Sequence, residues 1–324
     1  MLWVIASGLQ QPDDLLYDRD GSILVGEYSA GKIARIGGPS GVERLPVSVS
    51  EPEGIARIGE TLYVADQLHA RVVAIDGGGN VRTFLQLAPV ASGQNLDQIA
   101  SQGDTLIVPD SPHGTVLFVD QSGQVTRRVG GFGRPVGAWP LPDGSVLISD
   151  ENLAGVFQLM ADGTRKKLAS LAVADDAVDV PDGRVFAISE SNGLLIQVGG
   201  GTFVSGLKTA QGLAVDGAGN LLVTESAAGR VDAVLLAFKL QPARVDVVAL
   251  APGQPICVTV ARASGFRDTV QLGANSDYMV VRQPEGDQPG EVVPRNCESG
   301  HCSLHVVAQS GSRSDGIWVN YRNG

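Results

Sequence analysis

Short apolar runs alternate with turns carrying Gly, Asp, Asn or Ser along most of the chain, and no segment shows the periodicity of a helix of useful length. The alternation itself repeats. A small or polar residue opens a short apolar strand, a Gly-bearing turn leads to a second strand ending in an acid, and a short Gly- or Ala-containing loop leads to a third. The acids closing the second strands are Glu27, Asp66, Asp110, Asp150, Glu190 and Glu225, spaced 39, 44, 40, 40 and 35 residues apart. Between first and second strands stand Asp20-Gly21, Gly59-Glu60, Gly103-Asp104, Asp143-Gly144, Asp182-Gly183 and Ala218-Gly219, most of them hairpin chemistry. Several short strands per repeat, at a period of about 40 residues, predict an all-β fold: a six-bladed β-propeller over residues 1–238.

The ends of the repeat array predict how it closes. The first five repeats finish with a fourth strand, such as Val81-Arg82-Thr83-Phe84-Leu85, but the sixth has none after Val231 to Phe238. The unassigned strand is Leu2 to Ala6, followed by Ser7-Gly8-Leu9, which mirrors Val204-Ser205-Gly206-Leu207. The N-terminal strand is therefore expected to complete the last blade and remove an exposed sheet edge.

From about Leu240 the pattern changes. Strands are predicted at Val245–Val248, Ile256–Val260, Thr269–Leu272, Met279–Val281, Leu304–Val307 and Ile317–Tyr321, separated by turns rich in Gly, Pro, Ser and Asp. So many short strands in residues 239–324 predict a small immunoglobulin-like β-sandwich by architectural analogy, without the Cys, Trp, Cys spacing of a true immunoglobulin domain.

Charge and cysteine content narrow the partners and the compartment. The net charge is −11, of which −10 lies before residue 240. An acidic surface repels phosphate backbones, which argues against nucleic acid. No apolar run is long enough for a membrane span, and the residues after Met1 do not read as a secretory signal. Cys297 and Cys302 bracket a short polar loop that a disulfide would close, implying an oxidising, extracellular or cell-surface setting. The alternatives are free thiols and a zinc site from Cys297, His301, Cys302 and His305, although on a strand Cys302 and His305 point to opposite faces. Cys257, among apolar neighbours, is expected to pack as a buried small hydrophobe.

Segments such as Ile23-Leu24-Val25-Gly26-Glu27-Tyr28-Ser29-Ala30-Gly31-Lys32-Ile33 and Leu222-Val223-Thr224-Glu225-Ser226-Ala227-Ala228-Gly229-Arg230-Val231 resemble repeats of the NHL and virginiamycin B lyase-like propellers. The gluconolactonase group (SMP-30-like) shares the same blade logic. The resemblance covers the repeat region and speaks for architecture, since such propellers serve as enzymes, binding platforms and scaffolds.

Candidate chemistry lies where the inner strands begin. Those entries carry Asp13, Glu53, Asp97, Val136, Asp175 and Gln211, so four carboxylates ring the mouth of the central channel. In the gluconolactonase-like group the acid-then-Gly position, here Glu53-Gly54, supplies ligands to a divalent metal. Converging acids repel one another unless a cation binds or some are protonated, and Ca²⁺ or another hard divalent ion suits Asp13, Glu53, Asp97 and Asp175. The alternative is a polar, water-filled channel whose acids bond to neighbouring backbone. The acids closing the second strands recur in all six repeats and are read as structural, tying the following loop. His69 and His113 each follow such an acid by three residues, a pair that would bind a ligand or relay protons, or simply fill a polar loop position.

Three functions are compatible with this reading. The first is a non-catalytic extracytoplasmic binding or assembly protein, with a protein or glycan partner or self-association into oligomers or polymers. The second is a metal-dependent hydrolase of lactonase type, with Asp175 as base. The third, a virginiamycin-type lyase, needs histidines in its later blades, whereas this chain has none between His113 and His301.

Overall fold

A computed structural model describes residues 2–38, 41–92, 95–241, 244–246, 253–273, 277–295 and 301–322. Strands from Leu2 to Val234 form six four-stranded antiparallel sheets, as in a β-propeller. Five consist of consecutive strands: Pro12–Tyr17 to Gly41–Arg44, Pro52–Ile58 to Val81–Gln86, Ala100–Gln102 to Val125–Val129, Pro135–Pro140 to Arg165–Ser170, and Ala174–Asp179 to Gly201–Ser205. We number these sheets one to five. Sheet six is built from Ala210–Val215, Leu221–Glu225 and Arg230–Val234, and its fourth strand is Leu2–Ser7. The expected closure is therefore present, with Leu2 opposite Val234 and Ser7 opposite Arg230. Apolar clusters fill the space between neighbouring sheets. One joins Ala6, Leu9 and Val231 to Leu15 and Val25 of sheet one, so the N-terminal strand is part of the core.

The inner strands do not run as plain ladders. In five of the six, the register shifts near the start: between Pro12 and Leu15, Pro52 and Ile55, Pro135 and Gly137, Ala174 and Ala177, and Ala210 and Leu213. Such irregularities re-aim side chains. One residue near the start of each inner strand meets the others at the axis, and its type alternates around the ring. Sheets one, three and five supply Asp14, Gln98 and Asp176, while sheets two, four and six supply Gly54, Gly137 and Gly212.

Each polar side chain accepts a hydrogen bond from the residue after the next sheet's glycine: Ile55 N to Asp14 at 2.9 Å, Ala138 N to Gln98 at 2.8 Å and Leu213 N to Asp176 at 2.7 Å. The Gln98 amide nitrogen donates to Asp14 at 3.3 Å and Asp176 at 2.6 Å, closing a polar floor across the channel. The glycines are required by this approach. A Cβ on Gly54 would lie 2.7 Å from the Asp97 carbonyl oxygen, and one on Gly137 would lie 2.5 Å from that of Asp175.

Strands from Phe238 onward form two further four-stranded sheets around one buried cluster that includes Phe238, Val258, Tyr278, Val292, Leu304 and Val319. Two strands, Phe238–Gln241 and Gly290–Pro294, were not foreseen from the sequence. Cys257 is exposed, which corrects the expectation of a buried residue. It sits on Ile256–Arg262 between buried Ile256 and Val258, so strand alternation turns it outward. The strand His301–Ser310 turns Leu304 and Val306 inward, and His305 therefore lies on the face opposite Cys302. Cys297 falls outside the described residues, and with it the expected bridge to Cys302.

Lys239 ties this region to sheet six, its ammonium lying 3.2 Å from Asp216 and 2.9 Å from Asp315. Burial opposes the charge, but the two carboxylates outweigh it and raise the lysine's pKa. Among the described residues no helix is long and apolar enough to cross a membrane.

Two outcomes follow from this packing. Removing residues 1–7 leaves sheet six with three strands and uncovers apolar surface, so thermal unfolding should report a loss of at least about 3 kcal/mol, equivalent to a Tm lowered by about 6–12 °C. Gly54→Ala should destabilise by about 1–3 kcal/mol, whereas Gly77→Ala, in a turn with nothing within 4 Å of a new Cβ and no left-handed backbone, should cost less.

Candidate functional site: an acidic axial chamber

Above the polar floor is a chamber of about 330 Å³. The four inner-strand acids Asp13, Glu53, Asp97 and Asp175 all line it, and so does Gln211. Val136 does not; at that sector the wall is formed by Arg134 and Glu151.

A second ring stands one residue beyond the ends of the second strands. Tyr28, Gln67, Glu151, Glu190 and Ser226 each donate a backbone N–H to the residue just before an inner strand: Gln11, Glu51, Arg134, Val173 and Thr209. This register corrects the reading of Glu190. The residue that closes its strand is Ser189, paired with Ala174, and its hydroxyl donates to the Ala172 carbonyl at 2.6 Å. Glu190 is therefore a chamber residue, equivalent to Gln67 and Glu151.

The other strand-ending acids are structural, as expected. Glu27 accepts from Gln10 N at 2.9 Å and from Arg44. Asp150 accepts from Gly133 N at 2.7 Å and Arg134 N at 3.0 Å. His69 and His113 contact Asp66 and Asp110 through Nδ1 at 2.8 and 2.7 Å, so each ring serves its own loop. Neither histidine lines the chamber.

The chamber's charges are unbalanced. Arg134 is the one cation in its wall, with its guanidinium 3.1–3.2 Å from both oxygens of Asp97 and paired to Glu151. Burial works against the arginine's charge, yet Asp97 and Glu151 outweigh it and raise its pKa. Asp13, Glu53 and Asp175 have no such partner. Burial first, and then the neighbouring carboxylates, hold all three well above the usual carboxylate range. Burial raises Glu190 as well, and pushes Asp14 in the floor up to about 7.

Two oxygens stand out. Glu53 Oε2 and Gln211 Oε1 are buried without a hydrogen-bond partner, although Glu53 Oε1 takes one from Gln67. Gln211 turns its amide nitrogen to Asp13 at 3.3 Å, which leaves its oxygen free to accept. A buried acceptor without a donor is costly, and a hard cation satisfies such oxygens. Among the described residues no three His, Cys, Asp or Glu side chains stand close enough to hold an ion by themselves. The chamber oxygens that lack counter-charge are those of Glu53, Asp13 and Asp175, with the Gln211 amide beside Asp13. Sequence reasoning placed Gln211 at an inner-strand entry but missed it as a donor, because its freedom depends on where its nitrogen points.

No protein-family model and no curated protein sequence matches the chain. Solved structures do. Virginiamycin B lyase from Staphylococcus aureus is 16% identical over 68% of this chain and 78% of that one, with a TM-score of 0.53. A gluconolactonase from Xanthomonas campestris is 14% identical over 72% and 88%, with a TM-score of 0.59. Regucalcin from Agrobacterium tumefaciens, described as a calcium-binding protein, is 14% identical over 71% and 92%, with a TM-score of 0.57. These similarities show the propeller fold. They also correct the first functional expectation: the propellers this chain resembles are enzymes or enzyme-like proteins, and a non-catalytic assembly platform is withdrawn.

Proposed function

We propose that this chain is a metal-dependent hydrolase of lactonase type, acting on a cyclic ester in the axial chamber. The finer architecture belongs to the same reading: a six-bladed propeller domain over residues 1–238 carries the site, and residues 239–324 form an immunoglobulin-like sandwich beside it. The observation that carries the proposal is the pair of buried, unpartnered oxygens of Glu53 and Gln211 among carboxylates that lack counter-charge. The solved propellers named gluconolactonase and calcium-binding regucalcin favour it.

Drawn inward from their present spacing, Glu53, Asp13, Asp175 and Gln211 would hold Ca²⁺ or another divalent ion. Bound there, such an ion supplies Lewis-acid polarisation of an ester carbonyl. Asp175, raised by burial and by Asp13 and Asp97, is the base that takes a proton from the attacking water. As the ring C–O bond breaks, the departing oxygen is protonated and a hydroxy acid results. Arg134 holds Asp97 and Glu151 in place through its ion pairs. The lyase reading is weaker, because neither His69 nor His113 lines the chamber and no other histidine lies in the repeat region.

Calorimetric titration of chelated, desalted protein with Ca²⁺ and Mg²⁺ tests this directly. The parent should bind in the micromolar range, and Glu53→Gln should weaken binding by more than about tenfold. Lactone opening, followed by acid release, should vanish in Asp175→Asn. An absence of binding by the parent would sink the proposal.

The raised acids also set a pH dependence. In the folded protein Asp13, Glu53 and Asp175 hold protons that the unfolded chain has already released. Folded stability in chelator is therefore greatest below their ordinary carboxylate range and declines as pH rises toward their raised values. Tm in chelator should fall between pH 5 and 8, and Ca²⁺ should restore it most at the higher pH.

A further inference from the structure

The third residue of the third strand occupies the same register in all six propeller sheets, opposite the residue two before the second strand's end. In sheets one to five it is Ala34, Val73, Leu117, Phe157 and Ile196. In sheet six it is Asp232, fully buried, in the one sheet completed by a strand from the other end of the chain. Asp232 pairs with Val4 of that strand, and the register shifts immediately afterwards, between Val4 and Ala6.

Neither oxygen of Asp232 has a hydrogen-bond partner. Arg230 Nε lies 2.9 Å from Oδ2, but the guanidinium directs its hydrogen bonds to Glu225 Oε1, at 3.1 and 2.6 Å. One guanidinium thus faces two carboxylates. Ionised, neither acid can donate to the other; a proton on Asp232 makes it a donor to Glu225.

Among the described residues no other charge is placed to intervene. The strand Leu2–Ser7 has no titratable side chain, and the facing strands Leu194–Gln197 and Gly201–Ser205 of sheet five have none. Lys208 contributes only its backbone N–H, 2.5 Å from Glu225. The face that carries Asp232 also carries Val223 and Val234, both packed in the apolar cluster with sheet five.

We propose that Asp232 and Glu225 form a proton-operated latch on the N-terminal strand: sharing a proton they close the seam of the ring, and with both ionised they loosen it. Burial, followed by Glu225, pushes Asp232 up to about 7 from an ordinary value of 3.8. An acid raised in this way stabilises the closed form fully below its ordinary range, and that stabilisation is lost as pH climbs to about 7. The latch does not depend on any ion in the axial chamber.

Hydrogen exchange of the full chain in chelator, corrected for intrinsic rates, tests it at pH 5.5 and pH 8. Amides of Leu2–Ser7 should lose roughly ten- to thirtyfold protection at the higher pH, while those of Thr115–Val119 in sheet three keep theirs. Asp232→Leu, which installs an apolar residue as in the other five sheets, should make protection of the strand independent of pH. Asp232→Asn, uncharged and close in size, should do the same and covers the case in which leucine overpacks the site. Equal protection of the parent at both pH values, or a pH-dependent loss that persists in Asp232→Asn, overturns the latch. Repeating the comparison in Glu53→Gln should leave the loss unchanged, whatever that variant does to ion binding.

Discussion

Six sheets can share an axis only if their inner strands approach one another at the centre, and the alternation of side chain and no side chain permits it here. Gly54, Gly137 and Gly212 let backbone approach backbone, while Asp14, Gln98 and Asp176 reach across to accept the next sheet's N–H. The hydrogen bonds satisfy polar groups that would otherwise be buried and unpaired. They also seal the channel, so the chamber above is a closed cup whose depth is set by this floor. Below it lies a separate cavity of about 190 Å³ lined mainly by apolar residues, including Ile99, Trp139 and Leu213.

In sheets one and five the register shift that turns the floor residue across the channel also turns its predecessor into the chamber. Asp13, Asp97 and Asp175 directly precede Asp14, Gln98 and Asp176, so three of the chamber's acids are positioned by the residues that plug the channel. Their negative charge is concentrated in a small volume with one arginine, and Arg134 is committed to Asp97 and Glu151. What remains is a sector of oxygens with raised proton affinity and no internal cation. Structural ion pairs perturb pKa values as well, but in those every carboxylate has its partner, as Glu27 has Arg44.

The ring is joined at two places by chemistry rather than by apolar packing alone. At the seam, Asp232 replaces an apolar residue beside the strand from the N-terminus. At the other junction, Lys239 is clasped between Asp216 of the propeller and Asp315 of the C-terminal sheets, and the Leu240 N–H also bonds to Asp315 at 2.6 Å. Removing one member of such a buried group leaves an uncompensated charge, which makes the relative placement of the two regions sensitive to single substitutions.

Much of this was legible in the residues themselves. The spacing of strand-ending acids and Gly-bearing turns predicts the repeating four-stranded sheets, the missing fourth strand predicts the closure by Leu2–Ser7, and the position of Asp13, Glu53, Asp97 and Asp175 at inner-strand starts places them on one rim. These are local signals, carried by periodicity and turn chemistry. Glu190 was misassigned because a one-residue change of register moves a side chain from loop anchor to chamber wall, and only the pairing of Ala174 with Ser189 reveals it. Cys257 was misread because an apolar setting in sequence does not say which face of a strand is covered. Arg134, the free oxygen of Gln211 and the buried, unpartnered carboxylate of Asp232 were out of reach for the same reason. Charge balance and hydrogen-bond satisfaction depend on atoms brought together from sheets far apart in the chain, and only the tertiary structure decides which of them meet.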